Sequence, residues 1–305
     1  MIARANMRNR LYRVWEWCIE RIIQIAGILG IVIVILIFVF LFQNSLPILR
    51  ERSPAELLAG RTWSPTHGEG QFGMLPLILG SLYVTVGALV IAVPLGIGGA
   101  VFIAEVAPPR VREILKAAVE LIAAIPSVVF GFLGLLLIGP WLARVFHLPI
   151  GQFAALGSLM LAFMALPTIV SICEDALHAV PRSVFNSSLA LGATRWQTIT
   201  RALLPAARSG VIAACLLGVG RAIGETMTVL MVTGNAPVIP QGLKGFLFPV
   251  RTMTATIAAE MGETAFHTPH YYALFTIGLL LFVITFVTNT IADLIVRRDE
   301  RSGGR

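Results

Sequence analysis

The chain has 305 residues, of which 57% are hydrophobic and only 13% are charged, and its mean hydropathy is +0.85. Soluble globular domains carry about 25% charged residues, so this composition excludes an ordinary soluble protein and indicates a polytopic membrane protein. The net charge of +7 requires no nucleic-acid partner, because the basic residues concentrate in the connections between apolar segments.

Six apolar segments are long enough to cross a hydrocarbon layer of about 30 Å. They must be helical, since an open sheet would leave unpaired backbone groups in lipid. The sequence therefore predicts an all-α membrane protein with six transmembrane helices. The predicted spans are residues 22–42, 75–104, 118–142, 154–178, 209–234 and 272–296.

The distribution of basic residues predicts the orientation of these helices. Sixteen of the 23 lysines and arginines lie before the first span, in the connections 105–117 and 179–208, or in the tail. Short basic connections stay in the cytoplasm, so both termini are predicted to be cytoplasmic.

The first apolar segment is predicted to be a retained anchor. It is longer than a typical signal-peptide core of about 7–15 residues, and no A-x-A cleavage site follows it. The predicted organisation is a cytoplasmic N-terminus (1–21), an anchor (22–43), an outer loop (44–74), a transmembrane domain (75–296) and a cytoplasmic tail (297–305).

Two prolines predict helix breaks. Pro94 can kink the second span, where Gly96, Gly98 and Gly99 would let a neighbour approach closely. Pro126 opens the third span, and a break there either lines a pathway or is a plain kink. The sequence leaves both interpretations of Pro126 open.

Other polar residues give weaker signals. Glu174, Asp175 and His178, at the cytoplasmic end of the fourth span, are expected to pair with Arg182 rather than to form a proton relay. His267-x-x-His270 lies near two glutamates but lacks a third ligand in register, and the three cysteines have no C-x-x-C spacing. No metal site is predicted.

The connection 179–208 is predicted to form two short helices. Residues 183–191 are compatible with a helix, and Gly192 then supplies a turn. Thr194 and Gln197 form a T-x-x-Q capping box that opens the second helix, and Pro205 marks its end.

The second helix of this pair is predicted to be amphipathic, with Trp196, Ile199 and Leu203 on one face. Such a pair either lies on the lipid interface or docks into a groove of a soluble partner. The residues alone do not decide between the two surfaces.

The same loop resembles the EAA coupling motif of bacterial ABC-importer permeases. Its spacing matches, with Asn186, Ser187 and Ser188 at the E-A-A positions, then Gly192, Ala202, Leu204 and Pro205. Asn186 replaces the family's glutamate. The resemblance implies that a cytoplasmic ATPase docks here through Asn186, Ser187, Ser188, Gly192, Trp196, Leu204 and Pro205.

Arg221 and Glu225 are charged residues within the fifth span, and their spacing places them on one helical face. An unpaired arginine at mid-membrane costs about 2.5–3.5 kcal/mol on insertion scales, so both should face the bundle interior or water. They form either a structural salt bridge or a reversible oxyanion site in which Glu225 orients the Arg221 guanidinium. Gly220 and Gly224 would let a second helix approach.

Several segments together resemble phosphate ABC importer permeases of the PstC type. They are VPLGIGGAVFIAEVAPP, AAIPSVVFGFLGLL, ALGATRWQTI, GRAIGETMTVLMVTGN and YYALFTIGLLLFVITFVTN. The resemblance implies a type I ABC importer fold, located in the bacterial cytoplasmic membrane. It also implies that Arg221 and Glu225 line the substrate pathway.

The partners implied by the resemblance are a second permease of the PstA type, two cytoplasmic ATPases and an extracytoplasmic phosphate-binding protein. The chain is expected to bind no cofactor and to be no enzyme, because ATP and magnesium belong to the ATPase and no G-K-[ST] phosphate loop is present. Three alternatives stay open: an ABC permease for another oxyanion, an ATPase-independent secondary phosphate carrier and a membrane-embedded enzyme.

Overall fold

The computed structural model describes residues 2–67 and 70–303, and side chains at 15–67 and 70–295. In chain order the elements are α1 (Ile2–Glu51), α2 (Pro54–Ala59), β1 (Trp63–Ser64), β2 (Gln71–Phe72), α3 (Leu75–Val101), α4 (Pro109–Ala124), α5 (Ser127–Leu133), α6 (Gly139–Phe146), α7 (Ala154–Ala179), α8 (Arg182–Ala190), α9 (Arg195–Thr198), α10 (Leu204–Ala206), α11 (Arg208–Gly224), α12 (Met227–Val232), α13 (Met253–Glu260) and α14 (Pro269–Gly303). Turns of π-helix cover Phe102–Val106, Gly134–Ile138 and Ile199–Leu203, and a 3₁₀ turn covers Leu243–Leu247.

The fold is an all-α membrane bundle, as predicted. Within the described residues, five helical stretches are long and apolar enough to span: Trp15–Glu51, Leu75–Val106, Ser127–Phe146, Ala154–Ala179 and Pro269–Ile295. A sixth is counted if the bent pair Arg195–Ala206 and Arg208–Gly224 forms one span.

The helix break predicted at Pro94 is wrong. Helix α3 continues through this proline from Leu75 to Val101. The ring and the neighbouring Val90 and Leu95 lie on the exposed face. A proline removes one backbone hydrogen bond, and a helix with its other bonds intact and its ring pointing outward can tolerate that loss.

The predicted start of the third span is also wrong. Residues 118–124 belong to α4, a separate amphipathic helix with no buried residue. The chain becomes extended at Ile125 and Pro126, and the span begins at Ser127. Hydropathy alone did not separate α4 from α5, because the apolar residues at the end of α4 are followed almost directly by those of α5.

Helix α7 lies at the centre of the bundle. Two thirds of its most apolar window is buried (67%), against none of the window in α1 (0%). Helix α3 packs closely on it, since a methyl group added at Gly96 would overlap the side chain of Ile169. Helix α1 lies at the periphery and packs on α14 through Phe38 and Phe282.

Gly80 on α3 provides a test of this packing. A Cβ atom there would overlap the Arg251 carbonyl oxygen, whereas a Cβ at Gly98 on the same helix meets nothing within 4 Å. We expect Gly80→Ala to lower the thermal denaturation midpoint of the purified protein, because the obstructing atom belongs to the backbone and cannot rotate away. Gly98→Ala is the matched control and should leave the midpoint unchanged or raise it slightly.

Ion pairs join the ends of α3 and α7 to neighbouring helices, but with partners other than those predicted. The buried Glu174 carboxylate binds Lys116 Nζ of α4 at 2.9 Å and His178 Nδ1 at 3.2 Å. Arg182 instead pairs with Glu105 at 3.2 Å. The predicted pairing of Glu174 with Arg182 is wrong. Helix α4, which hydropathy did not separate from the third span, supplies Lys116 as the nearer cation.

The hydrogen bond to Glu174 raises the pKa of Lys116 above its ordinary value. A raised lysine pKa contributes stability that is present at neutral pH and is lost only as the pH rises through the folded-state pKa. The link between α4 and α7 is therefore insensitive to pH in the physiological range.

Glu260 connects three segments of the chain. Its carboxylate binds Arg251 Nη1 at 2.5 Å and His270 Nε2 at 2.8 Å, and it accepts a hydrogen bond from Trp63 Nε1 at 3.2 Å. These residues line a cavity of about 410 Å³. No group of three metal-ligating side chains is present in the described part of the chain.

Replacing Glu260 should lower the stability of the folded protein. The Arg251 side chain is only 17% exposed, so Glu260→Ala leaves a largely buried cation without its carboxylate. We expect a loss of roughly 3 kcal/mol, visible as a lower thermal denaturation midpoint. Glu263→Ala is the control, because that side chain is exposed and should leave the midpoint unchanged. Equal midpoints for the two variants would show that the cluster does not stabilise the fold.

Candidate functional site

Arg221 lies near the end of α11, about 20 Å from the start of that helix. Its Nη1 donates a hydrogen bond of 2.9 Å to the Thr168 hydroxyl at the middle of α7. Both side chains are half-buried. The guanidinium is therefore held inside the bundle, as the cost of exposing a charge to lipid predicts.

The predicted fifth span is broken between Arg221 and the residues that follow it. Helix α11 ends at Gly224, Glu225 is extended (φ −68°, ψ 133°) and α12 starts at Met227. The prediction of one helix over 209–234, with Arg221 and Glu225 on a common face, is wrong. Interactions of Glu225 at the break give the physical reason.

Glu225 stabilises the break through both its side chain and its backbone. Its Oε1 accepts a hydrogen bond of 3.1 Å from the Thr228 N–H in the first turn of α12. Its carbonyl oxygen accepts a bond of 2.7 Å from the Thr254 hydroxyl of α13. Glu225 thus satisfies backbone groups that the interruption frees.

The structural salt bridge considered from the sequence is absent: among the described side chains, no ion pair involves Arg221. Arginine has five N–H donors and cannot lose its proton. Among the described residues, Arg221 forms only the Nη1 bond to Thr168. The site therefore presents an arginine with unused donors and no ion-pair partner among the described side chains, an arrangement suited to an oxyanion.

A second break lies beside the first. The chain is extended at Pro126 before α5 begins at Ser127, and the Thr228 hydroxyl donates a 2.9 Å hydrogen bond to the Ser127 carbonyl. Non-helical backbone at membrane depth is tolerated only where protein buries it or water reaches it. Two adjoining breaks next to the half-buried Arg221 favour a pathway over a plain kink at Pro126.

The glycines beside Arg221 do not pack a helix of this chain closely. A methyl group at Gly224 would meet nothing within 4 Å, and one at Gly220 would meet only Asn289 Oδ1 at 3.8 Å. The close helix approach expected from the sequence is not present among the described residues.

The loop 179–208 forms the predicted pair of short helices. After α8, Gly192 adopts φ +87°, which places it in the left-handed region. Thr194 and Gln197 form the capping box, with reciprocal bonds of 3.2 and 2.9 Å. The Ser188 and Thr198 hydroxyls lie 3.0 Å apart and fix the angle between the two helices. The predicted turn and cap are both confirmed.

The face predicted for the second helix is partly wrong. Ile199 and Leu203 are buried, but Trp196 is 67% exposed. Trp196 precedes the π-helical turn, which begins at Ile199 and ends at Leu203. Leu191, at the tip beside Gly192, is 90% exposed. The loop thus presents two large apolar side chains outward.

The remaining motif positions lie around this tip. Asn186 and Ser187 are exposed on α8, Leu204 is half-buried, and Pro205 is exposed. The second helix ends at Ala206, one residue after Pro205. It meets α11 at a 74° bend, so the loop connects directly to the helix that bears Arg221.

Three threonines at the site were not identified from the sequence. Thr168, Thr228 and Thr254 bind Arg221, Ser127 and Glu225 respectively. Threonine is common in membrane helices, so its presence is not informative without the fold. Thr168 had one usable signal, since it directly follows Pro167 in the middle of the fourth span.

Comparisons with known proteins agree with this geometry. Residues 92–300 match the family model described as "Binding-protein-dependent transport system inner membrane component". The chain is 41% identical to the probable ABC transporter permease protein YqgH of Bacillus subtilis over 77% of this chain and 75% of that protein. It is 36% identical to the phosphate transport system permease protein PstC of Mesorhizobium japonicum, over 81% of this chain and 80% of that one.

Solved structures give the same fold. An inward-facing structure of the MetNI methionine ABC transporter aligns with a TM-score of 0.54 at 20% identity, covering 74% of this chain and 94% of that chain. An amino acid ABC transporter with histidines aligns at 0.53 and 16% identity, covering 74% and 93%. At these identities the likeness concerns the fold alone.

Proposed function

The chain belongs to the family of binding-protein-dependent transport system inner membrane components, and we propose that it is the permease subunit through which an ATP-driven importer moves inorganic phosphate. It is a multi-pass protein of the inner membrane, and its family works with an ATPase and a substrate-binding protein. Relatives at 36% and 34% identity are named phosphate transport system permease proteins.

The observation that supports phosphate as the substrate is the position of the Arg221 guanidinium at the junction of two helix breaks. This guanidinium has no ion-pair partner among the described side chains. Charge-assisted bonds from arginine match the oxygens of a tetrahedral anion. Because Glu225 lies at the same break, it would repel a bound anion and promote release. From the sequence, Glu225 was also expected to orient the Arg221 guanidinium. The described side chains form no ion pair between Arg221 and Glu225 that would do so.

The proposed partners are a second permease of the PstA type, two cytoplasmic ATPases and an extracytoplasmic phosphate-binding protein. The ATPase would dock on the loop tip, where Leu191 and Trp196 are exposed. Asn186, Ser187, Ser188, Gly192, Leu204 and Pro205 would shape that surface. Both termini would be cytoplasmic, the anchor (22–43) would be peripheral, and residues 75–296 would form the transport domain.

The test is reconstitution of the complete importer in proteoliposomes. With ATP inside and the loaded binding protein outside, we expect accumulation of radiolabelled phosphate that depends on ATP. An excess of sulfate or molybdate should not compete. Competition by either anion would favour an ABC permease for another oxyanion.

Two further controls separate the remaining alternatives. Vesicles with this chain but without the ATPases should accumulate no phosphate, and uptake there would establish a secondary carrier. A chemically altered phosphate compound recovered from the vesicles would indicate a membrane-embedded enzyme.

A further inference from the structure

Thr168 differs from many hydroxyl residues on the helices of this chain. Ser158, Thr233 and Thr276 each donate a hydrogen bond to the carbonyl oxygen four residues earlier, at 3.0, 2.7 and 2.9 Å. This is the usual way for a helix to satisfy a hydroxyl proton in an apolar setting. Among the described residues, the Thr168 hydroxyl donates no such bond.

Within the described part of the chain, this hydroxyl forms one hydrogen bond, and it is one that the hydroxyl accepts. Arg221 Nη1 donates to Thr168 Oγ1 at 2.9 Å. A hydroxyl has one proton to donate as well as lone pairs that accept, so the proton of Thr168 stays available. Accepting from a cation also polarises the O–H bond and makes it a better donor.

The position of Thr168 makes this donor usable. It follows Pro167 near the middle of α7, about 21 Å from the start of that helix. It is half-buried beside Arg221, so the free hydroxyl proton and the unused guanidinium N–H groups lie within one small region. An anion reaching Arg221 would reach Thr168 as well.

We propose that the Thr168 hydroxyl is a second binding group for the transported oxyanion: it accepts from Arg221 Nη1 and donates its own proton to an anion oxygen. The hydroxyl holds the guanidinium in place. It also adds one neutral hydrogen-bond donor to the charged N–H donors of Arg221. This inference rests on the proposed function, because it concerns the same substrate and the same pathway.

The experiment compares three variants of the complete importer in proteoliposomes, with phosphate uptake and ATP hydrolysis measured together. Thr168→Val keeps the shape but removes the hydroxyl, and we expect phosphate uptake to fall roughly tenfold at unchanged stimulation of ATP hydrolysis. Thr168→Ser restores the hydroxyl and should keep uptake within about twofold of wild type. Thr276→Val is the matched control, since that hydroxyl is bonded within α14, and it should transport normally.

Three results would overturn the inference. One is wild-type uptake by Thr168→Val. Another is a serine variant as defective as the valine variant, since shape would then matter instead of the donor. The third is a parallel loss of uptake, ATP hydrolysis and complex assembly, which indicates a purely structural role.

Failure of the proposed function gives a different pattern. In that case the wild-type importer itself accumulates no phosphate. If it carries sulfate instead, the same three variants are compared with radiolabelled sulfate, because a hydroxyl donates equally well to any tetrahedral oxyanion.

Discussion

Arg221→Gln should reduce ATP-driven phosphate uptake by at least about 100-fold while the importer still assembles. Glutamine keeps a donor for Thr168 but removes the charge that has no carboxylate partner among the described side chains. Losing charge-assisted bonds to an anion costs about 3 kcal/mol or more. Uptake of radiolabelled phosphate by proteoliposomes measures the effect, and co-purification of all subunits measures assembly.

Arg144→Gln is the matched control for this prediction. Arg144 is exposed at the end of α6, far along the chain from both helix breaks, and its replacement should leave uptake unchanged. Loss of the Arg221→Gln protein from the membrane would contradict the pathway assignment and show that the arginine is needed for folding.

Gly192→Val should uncouple the ATPase from the permease. Gly192 has φ +87°, a conformation that costs about 1–2 kcal/mol for an ordinary residue and more for a β-branched one. A Cβ there meets nothing within 4 Å, so the effect comes from backbone strain alone. We expect at least a tenfold fall in uptake and weaker co-purification of the ATPase.

Gly192→Asn separates strain from simple bulk, because asparagine tolerates the left-handed conformation. It should retain most of the uptake. Normal recovery of the ATPase with Gly192→Val would contradict docking at this turn.

Local signals in the sequence were reliable for the loop 179–208. The Thr194 capping box and the Gly192 turn depend on residues next to each other, and both are present. The amphipathic face was less predictable, since Trp196 is exposed although its spacing from the buried Ile199 and Leu203 is helical. Burial depends on the neighbouring elements, which spacing along the chain does not reveal.

The substrate pathway could be predicted only in outline. The cost of exposing a charge to lipid was enough to place Arg221 inside the bundle. Glu225 was expected to share one helix with Arg221, because the apolar segment continues on both sides of it. The interruption is stabilised by the Thr228 N–H, three residues after Glu225, and by the Thr254 hydroxyl of a different helix. The bond from Thr254 is tertiary and cannot be inferred from spacing along the chain.

The 74° bend at Ala207 makes α11 a lever arm. Arg221 lies about 20 Å from that pivot, so a tilt of about 10° would displace its side chain by about 3 Å, the length of the hydrogen bond to Thr168. A small rotation imposed on residues 182–206 would thus break the hydrogen bond from Arg221 to Thr168, with no flexible linker in between. The stiffness of α11 between the bend and Arg221 would then set how much of any such rotation reaches the guanidinium.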